Sequence, residues 1–171
     1  MQINLAKSAV ENVLALVNAA NSSVLSPAEV TLGAPVVWVD PLGVNTRNTQ
    51  VTLTAVVGSG YTGTVDVRLT RLTLEAVRGA TVLDYTLLGS DTLVAIKAYV
   101  VAALGVVADQ VELSVTEVPV VPNGQTSVTI QIQALATSLL YTGACDVTVF
   151  PEGDDELNTI VTDPELPGFE V

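Results

Sequence analysis

The sequence predicts an α+β, β-rich fold: two tandem helix-plus-β-hairpin modules sharing a core, followed by an acidic C-terminal arm. Three observations predict it. A phrase occurs twice, GSGYTGTVDVRL at 58–69 and SLLYTGACDVTV at 138–149. Period-two alternation surrounds each copy, and a stretch with helical spacing precedes each. The order helix, crossover, strand, turn, strand is therefore stated twice, which sets the modules at 1–78 and 79–150 and the arm at 151–171.

In the first module Val10, Val13, Leu14 and Val17 recur at spacings of three and four, the stripe of an amphipathic helix over 4–20. Asn4 or Ser8 begins it and Asn21-Ser22-Ser23 ends it. Ser26-Pro27-Ala28-Glu29 combines a cap residue, a proline at the first helical position and a glutamate, which gives one helical turn before the strand-like Val30 to Leu32. Residues 33–48, GAPVVWVDPLGVNTRN, form a connection with a reverse turn at Asp40-Pro41-Leu42-Gly43. Its tryptophan, Trp38, is either a recognition aromatic or, as we expect, a plug for one end of the core or an interface between copies. Val51, Leu53, Ala55 and Val57 alternate with polar residues, glycines 58 and 60 allow a turn, and Val65, Val67 and Leu69 alternate on the return. The register is expected to run on to Leu74. Arg68, Arg71 and Arg78 form the only basic cluster, expected as an exposed face paired to acidic neighbours.

In the second module a strand is expected within 81–88, and Ser90 or Asp91 caps a helix carrying Leu93, Ile96, Val100 and Leu104 until Gly105 stops it. Its β-branched and small residues have weak helical propensity, so it depends on packing against a sheet. Residues 111–121 are strand-like but contain Pro119, which suits an edge or a connection. Pro122-Asn123-Gly124 turns the chain, Val128, Ile130, Ile132 and Ala134 alternate, and Cys145, Val147 and Val149 return after the second Tyr-Thr-Gly. Tyr61 and Tyr141 hold equivalent places, each expected to lay its ring over a strand pair.

Eighteen acidic against six basic side chains give a net charge of −12, a field that repels polyanions and disfavours nucleic-acid binding. No histidine occurs, which removes imidazole ligands and the usual general base. The single cysteine, Cys145, permits no internal disulfide and reads as a small buried hydrophobe. Asp66 and Asp146 recur at one position of each phrase, and we expect outward-facing strand residues rather than a catalytic pair. The sequence points to no enzyme, cofactor or metal site. Asp154-Asp155-Glu156 lacks the glycine and the final glutamate of an EF-hand loop, so 151–171, with seven carboxylates, three prolines and no base, reads as a solvated arm. No signal peptide or membrane-spanning stretch is expected, so the chain reads as soluble and made in the cytosol.

Laid side by side, the copies align Leu14 and Val17 with Ile96 and Tyr99, 29–32 with 110–113, and Val51-Leu53-Ala55 with Ile130-Ile132-Ala134. The phrases LVNAAN, LSPAEVTLGAP and NTQVTLTAVVGSGYTGTVDVRLTRLTL of the first module, with LVAIKAYVVAALGVVADQVELSV and SVTIQIQALATSLLYTGACDVTV of the second, resemble a domain recurring in virion structural proteins of large tailed bacteriophages. The likeness covers about residues 10–150. It departs from the family's pattern where 70–74 keeps an arginine without an aspartate, where Ala98-Tyr99 replaces an asparagine, and where Tyr141 replaces a tryptophan. It implies a virion component, capsid-associated or decorating, contacting other virion proteins or copies of itself in a lattice. A tail, neck or baseplate component, or a carbohydrate-binding host-surface module, is the alternative. Trp38, Tyr61, Tyr141, Arg68, Arg71 and Arg78 are the candidate interface residues.

Overall fold

Ser8 starts the first helix, α1 (Ala9–Asn21), through a reciprocal capping box. Its hydroxyl accepts from Glu11 N–H at 3.2 Å, and the Glu11 carboxylate accepts from Ser8 N–H at 2.8 Å. Ser22 ends the helix in the left-handed region at φ 53°. These details come from a computed structural model that describes residues 2–152. The buried Asn12 amide accepts from Asn4 N–H at 2.8 Å and donates to the Asn4 carbonyl at 3.0 Å, tying the leading residues to α1. The Ser26–Glu29 turn forms as expected: Glu29 N–H donates to the Ser26 carbonyl, and its carboxylate accepts from Ser26 N–H.

That turn feeds β1 (Val30–Leu32), and β2 (Val36–Val37) follows. Both pair antiparallel with one edge of β3 (Thr49–Ala55), while β4 (Thr64–Leu69) pairs antiparallel with the other. Thr49, Val51 and Leu53 are buried along β3, the face expected from the alternation.

The chain then departs from the expected continuous register. After Leu69 it bends, and β5 (Leu72–Thr73) leads into a short helix, α2 (Leu74–Arg78), capped by the Thr73 hydroxyl on Ala76 N–H. The bend frees Leu74 to become fully buried, which a straight strand end would not allow. Within the expected 81–88 only β6 (Asp84–Thr86) is a strand. The next helix, α3 (Leu93–Leu104), is capped by Thr92 rather than by Ser90 or Asp91, because the Asp91 carboxylate already accepts from Leu88 N–H at 2.7 Å. Gly105 closes α3 at φ 62°.

A 3-10 turn at Ala108–Gln110 leads to β7 (Val111–Leu113), an edge strand as expected. β8 (Val128–Ala134), β9 (Tyr141–Thr142) and β10 (Ala144–Phe150) complete the chain's described elements. The second sheet has the order β6-β10-β8-β7, with β6 parallel to β10 and the other pairs antiparallel. A third, two-stranded sheet joins β5 to β9 in parallel. The fold is mixed α+β and rich in strands. Among the described residues, no helix is long and apolar enough to cross a membrane.

Corresponding registers recur in the two large sheets. Val30 faces Ala55 as Val111 faces Ala134, and Leu53 faces Val65 as Ile132 faces Cys145. The main apolar cluster takes Val13, Val51 and Leu69 from the first half together with Ile96, Val111, Ile132 and Val147 from the second. A smaller cluster of Leu14, Val30 and Leu53 lies under the first sheet. Burying each such side chain stabilises the fold by roughly 1.5–3 kcal/mol before entropy is counted. The expected acidic arm lies outside the described residues from position 153 on.

Candidate functional site

Tyr141 and Tyr61, equivalent in sequence, differ in the fold. Tyr141 is 1 % exposed and its hydroxyl accepts from Val107 N–H at 3.3 Å, so it is a core residue and not an interface contact. Burial pushes its phenol up from the ordinary value, against the Val107 N–H, which lowers it, and with the Asp109 carboxylate, which raises it. Tyr61 is 48 % exposed, contrary to the expected burial. The difference follows from what each meets: Tyr141 enters the β5–β9 pair under α3, whereas Tyr61 sits in the open β3–β4 turn.

The arginines do not make one exposed face. The Arg68 guanidinium lies 4.6 Å from the Trp38 ring centre, a cation–π contact on the surface. Trp38 itself is half-buried and outside the core clusters, so it is no core plug. Arg71 turns inward. Its Nε donates to Thr49 Oγ1 at 2.8 Å and its Nη1 to the Ser138 carbonyl at 3.0 Å, while its backbone is held by the Asn48 amide on both sides. Thr49 and Ser138 are fully buried, so Arg71 is a structural bridge between the halves, and burial lowers its pKa. Arg78 pairs with Glu75 on α2, close to the buried Cys145, whose thiol burial pushes up. Of the six candidate residues, the structure brings together only Trp38 and Arg68.

Beside that pair lies a surface the sequence reading missed. Val36, Val37, Val39, Leu42 and Val44 are each more than half exposed. The loop is nonetheless ordered by Asp40, whose carboxylate accepts from Leu42, Val44 and Asn45 N–H at 3.2, 2.9 and 2.6 Å. These donors, Leu42 first, hold its carboxyl below the usual range despite some burial. The signal was available, since an apolar run flanked by proline and glycine cannot all be buried in a short connection.

A second feature lies on the same sheet. Among the described residues nothing pairs with the outer edge of β4, whereas β6 covers the corresponding edge of β10. Cys145, Val147 and Val149 are buried on β10, but along β4 burial fades from Leu69 to a Val65 that is 58 % exposed. Between α1 and β4 runs a groove of about 810 Å³, with Leu16, Val17, Ala20, Val67, Leu69 and Leu140 on its walls and Arg47 and Arg68 also lining it.

Asp66 and Asp146 are exposed and serve their sheets. Asp66 accepts from Thr52 Oγ1 at 2.6 Å and Gln50 Nε2 at 2.9 Å, and Asp146 accepts from Gln131 Nε2 at 2.8 Å. Both are cross-strand partners.

The sequence profile of DUF7941, a family of unknown function, matches residues 2–171. The chain belongs to that family. No curated protein and no solved structure matches it. The apolar loop at 36–44, the Trp38–Arg68 pair and the edge of β4 that no described strand pairs set the first half apart from the second.

Proposed function

We propose that this chain is a structural subunit of a bacteriophage virion, capsid-associated or decorating, and that it acts through protein–protein contacts and not as an enzyme. The observation that carries the proposal is the surface on the first half: an apolar loop at 36–44 ordered by Asp40, joined to β4 through the Trp38–Arg68 contact, on a sheet whose outer β4 edge no described strand pairs. Apolar patches held rigid at the surface are interaction sites, and an open edge offers a row of unsatisfied backbone groups to a neighbour. A subunit repeated in a lattice gains avidity from several such modest contacts. The resemblance of residues 10–150 to tailed-phage virion domains supplies the particle.

The same reading takes the molecule as a duplication, with helix-plus-hairpin modules at 1–78 and 79–150 and an acidic arm at 151–171. The recurring registers of β1-β3-β4 and β7-β8-β10 support it. In both, the first Gly after the repeated tyrosine has a positive φ, 87° at Gly63 and 74° at Gly143, where a side chain would strain the turn. A sugar-binding role has less support, because one face of the only tryptophan carries the Arg68 guanidinium.

Mass spectrometry of washed virions from a phage encoding this chain tests the proposal. The chain is expected in many copies at fixed ratio to the major capsid protein. Its presence in lysate but not in washed particles would overturn the reading.

A further inference from the structure

The connection from the first strand of a large sheet to its central strand occurs twice, as 33–48 between β1 and β3 and as 114–127 between β7 and β8. Each copy holds a Pro-Val-Val run, at 35–37 and at 119–121. Each also turns valine to the surface: Val37 is 78 % exposed and Val120 82 %. In the first loop the run includes β2, held on β3, and Val39, Leu42 and Val44 extend the exposed apolar surface beyond it. In the second the run is irregular chain, and Val118 is exposed beside Val120 in sequence.

The two loops differ in charge. Arg47 lies near the end of the first and Arg68 lies across its Trp38, and both arginines are exposed. The second carries Glu117 and follows Glu112 of β7, both exposed, and the chain has no base after Lys97. Two carboxylates accompany the arginines, but each already serves the first half. Asp40 accepts from N–H groups of its own loop, and Asp66 accepts from Thr52 and Gln50. On the other side Glu112 accepts from Gln133 across its sheet, which leaves Glu117 as the main acidic group of the second loop.

We propose that the 36–44 loop of one copy of this chain packs against residues 117–121 of a second copy, with Arg68 and Arg47 meeting Glu117 at the rim of an apolar contact. This deepens the reading of the chain as an assembly subunit and names the partner of its apolar loop. Charge selects that partner. Residues 1–78 carry five bases and five acids, whereas 79–150 carry one base and six acids. Two first loops face to face would bring guanidiniums together, and two second loops would bring glutamates together, so the unlike pair is the favoured one. The alternative apolar site of the second half, Val94 and Tyr99 on α3, shares its helix with Lys97, the only base of that half. Since each copy offers one loop of each kind, the contact is head-to-tail and runs on into a ring or a filament. Each contact is small, and repetition along the assembly strengthens it.

Sedimentation velocity of the purified full-length chain over a range of concentrations tests the proposal. The native chain is expected to grow in size with concentration. Arg68→Glu and Glu117→Lys are each expected to weaken association about tenfold or more, because like charges then meet. An equimolar mixture of the two variants is expected to regain it, since alternate contacts are then native and fully reversed. Val37→Asp is expected to abolish association by itself. All these positions are exposed, so the melting temperature should hold, and Arg47→Glu takes the place of Arg68→Glu if loss of the Trp38 contact lowers it. A native chain that stays monomeric overturns the proposal, and so does a mixture no stronger than its components. It is also overturned if Glu117→Lys associates like the native chain while Val37→Asp does not, which would set two first loops face to face. No virion enters this test, so a monomeric chain found in washed particles would remove this partner and leave the virion reading standing.

Discussion

At the scale of single residues, the repeated tyrosine shows how one sequence signal can have two physical outcomes. Tyr141→Ala removes a ring that is 1 % exposed and should cost about 3–5 kcal/mol, whereas Tyr61→Ala, at an exposed turn, should change stability by no more than about 0.5 kcal/mol. Urea unfolding of both variants checks this, and equal losses would mean that Tyr61 is covered in solution. The Tyr141 phenol also makes an alkaline prediction. Its folded pKa is raised, so its contribution is fully present below the unfolded value of about 10 and is lost as pH rises through the folded value. Tyr141→Phe should therefore unfold less steeply above about pH 10 than the native chain does. A melting profile against pH that is parallel for the two proteins would refute it.

At the scale of elements, Arg71 decides how the bent chain after β4 is held. It donates to Thr49 of β3 and to the Ser138 carbonyl before β9, so Arg71→Ala leaves buried acceptors unpaired and should destabilise by about 1–3 kcal/mol. Lysine should recover little, because one ammonium cannot span both acceptors in the guanidinium's fixed geometry. Thermal melts of the Ala and Lys variants measure it, and full recovery by Lys would show that charge alone matters. The same segment marks where sequence reading ends. α1, β3, β8 and α3 were legible because one period dominates each: Val51 and Leu53, or Ile96 and Val100, repeat at the spacing of a single buried face. The bend after Leu69 was not read, although Leu72 and Leu74 fall out of phase with Val65, Val67 and Leu69 where the chain turns into α2. What decides there is a long-range bond, Leu72 N–H to the Leu140 carbonyl at 3.0 Å, which no local pattern records. The candidate site was legible only in Trp38 and Arg68. Its groove and open edge depend on which strands lack neighbours, a property of the assembled sheets and not of any window of residues.

At the scale of the whole molecule, the main core decides whether the two halves are separate units. Val13, Val51 and Leu69 pack in one cluster with Ile96, Val111, Ile132 and Val147, and β5 of the first half pairs with β9 of the second. Neither half keeps a closed apolar interior if the other opens, so both should melt together in one transition. Val51→Ala and Ile132→Ala each empty a site exposed by 1 % or less, and the second removes more side-chain volume. Each should lower the same calorimetric peak, by about 1–3 kcal/mol for Val51→Ala and about 2–5 kcal/mol for Ile132→Ala. The calorimetric and van't Hoff enthalpies should remain equal in both variants. If instead Val51→Ala splits off a low-temperature peak that Ile132→Ala leaves in place, the first half unfolds by itself.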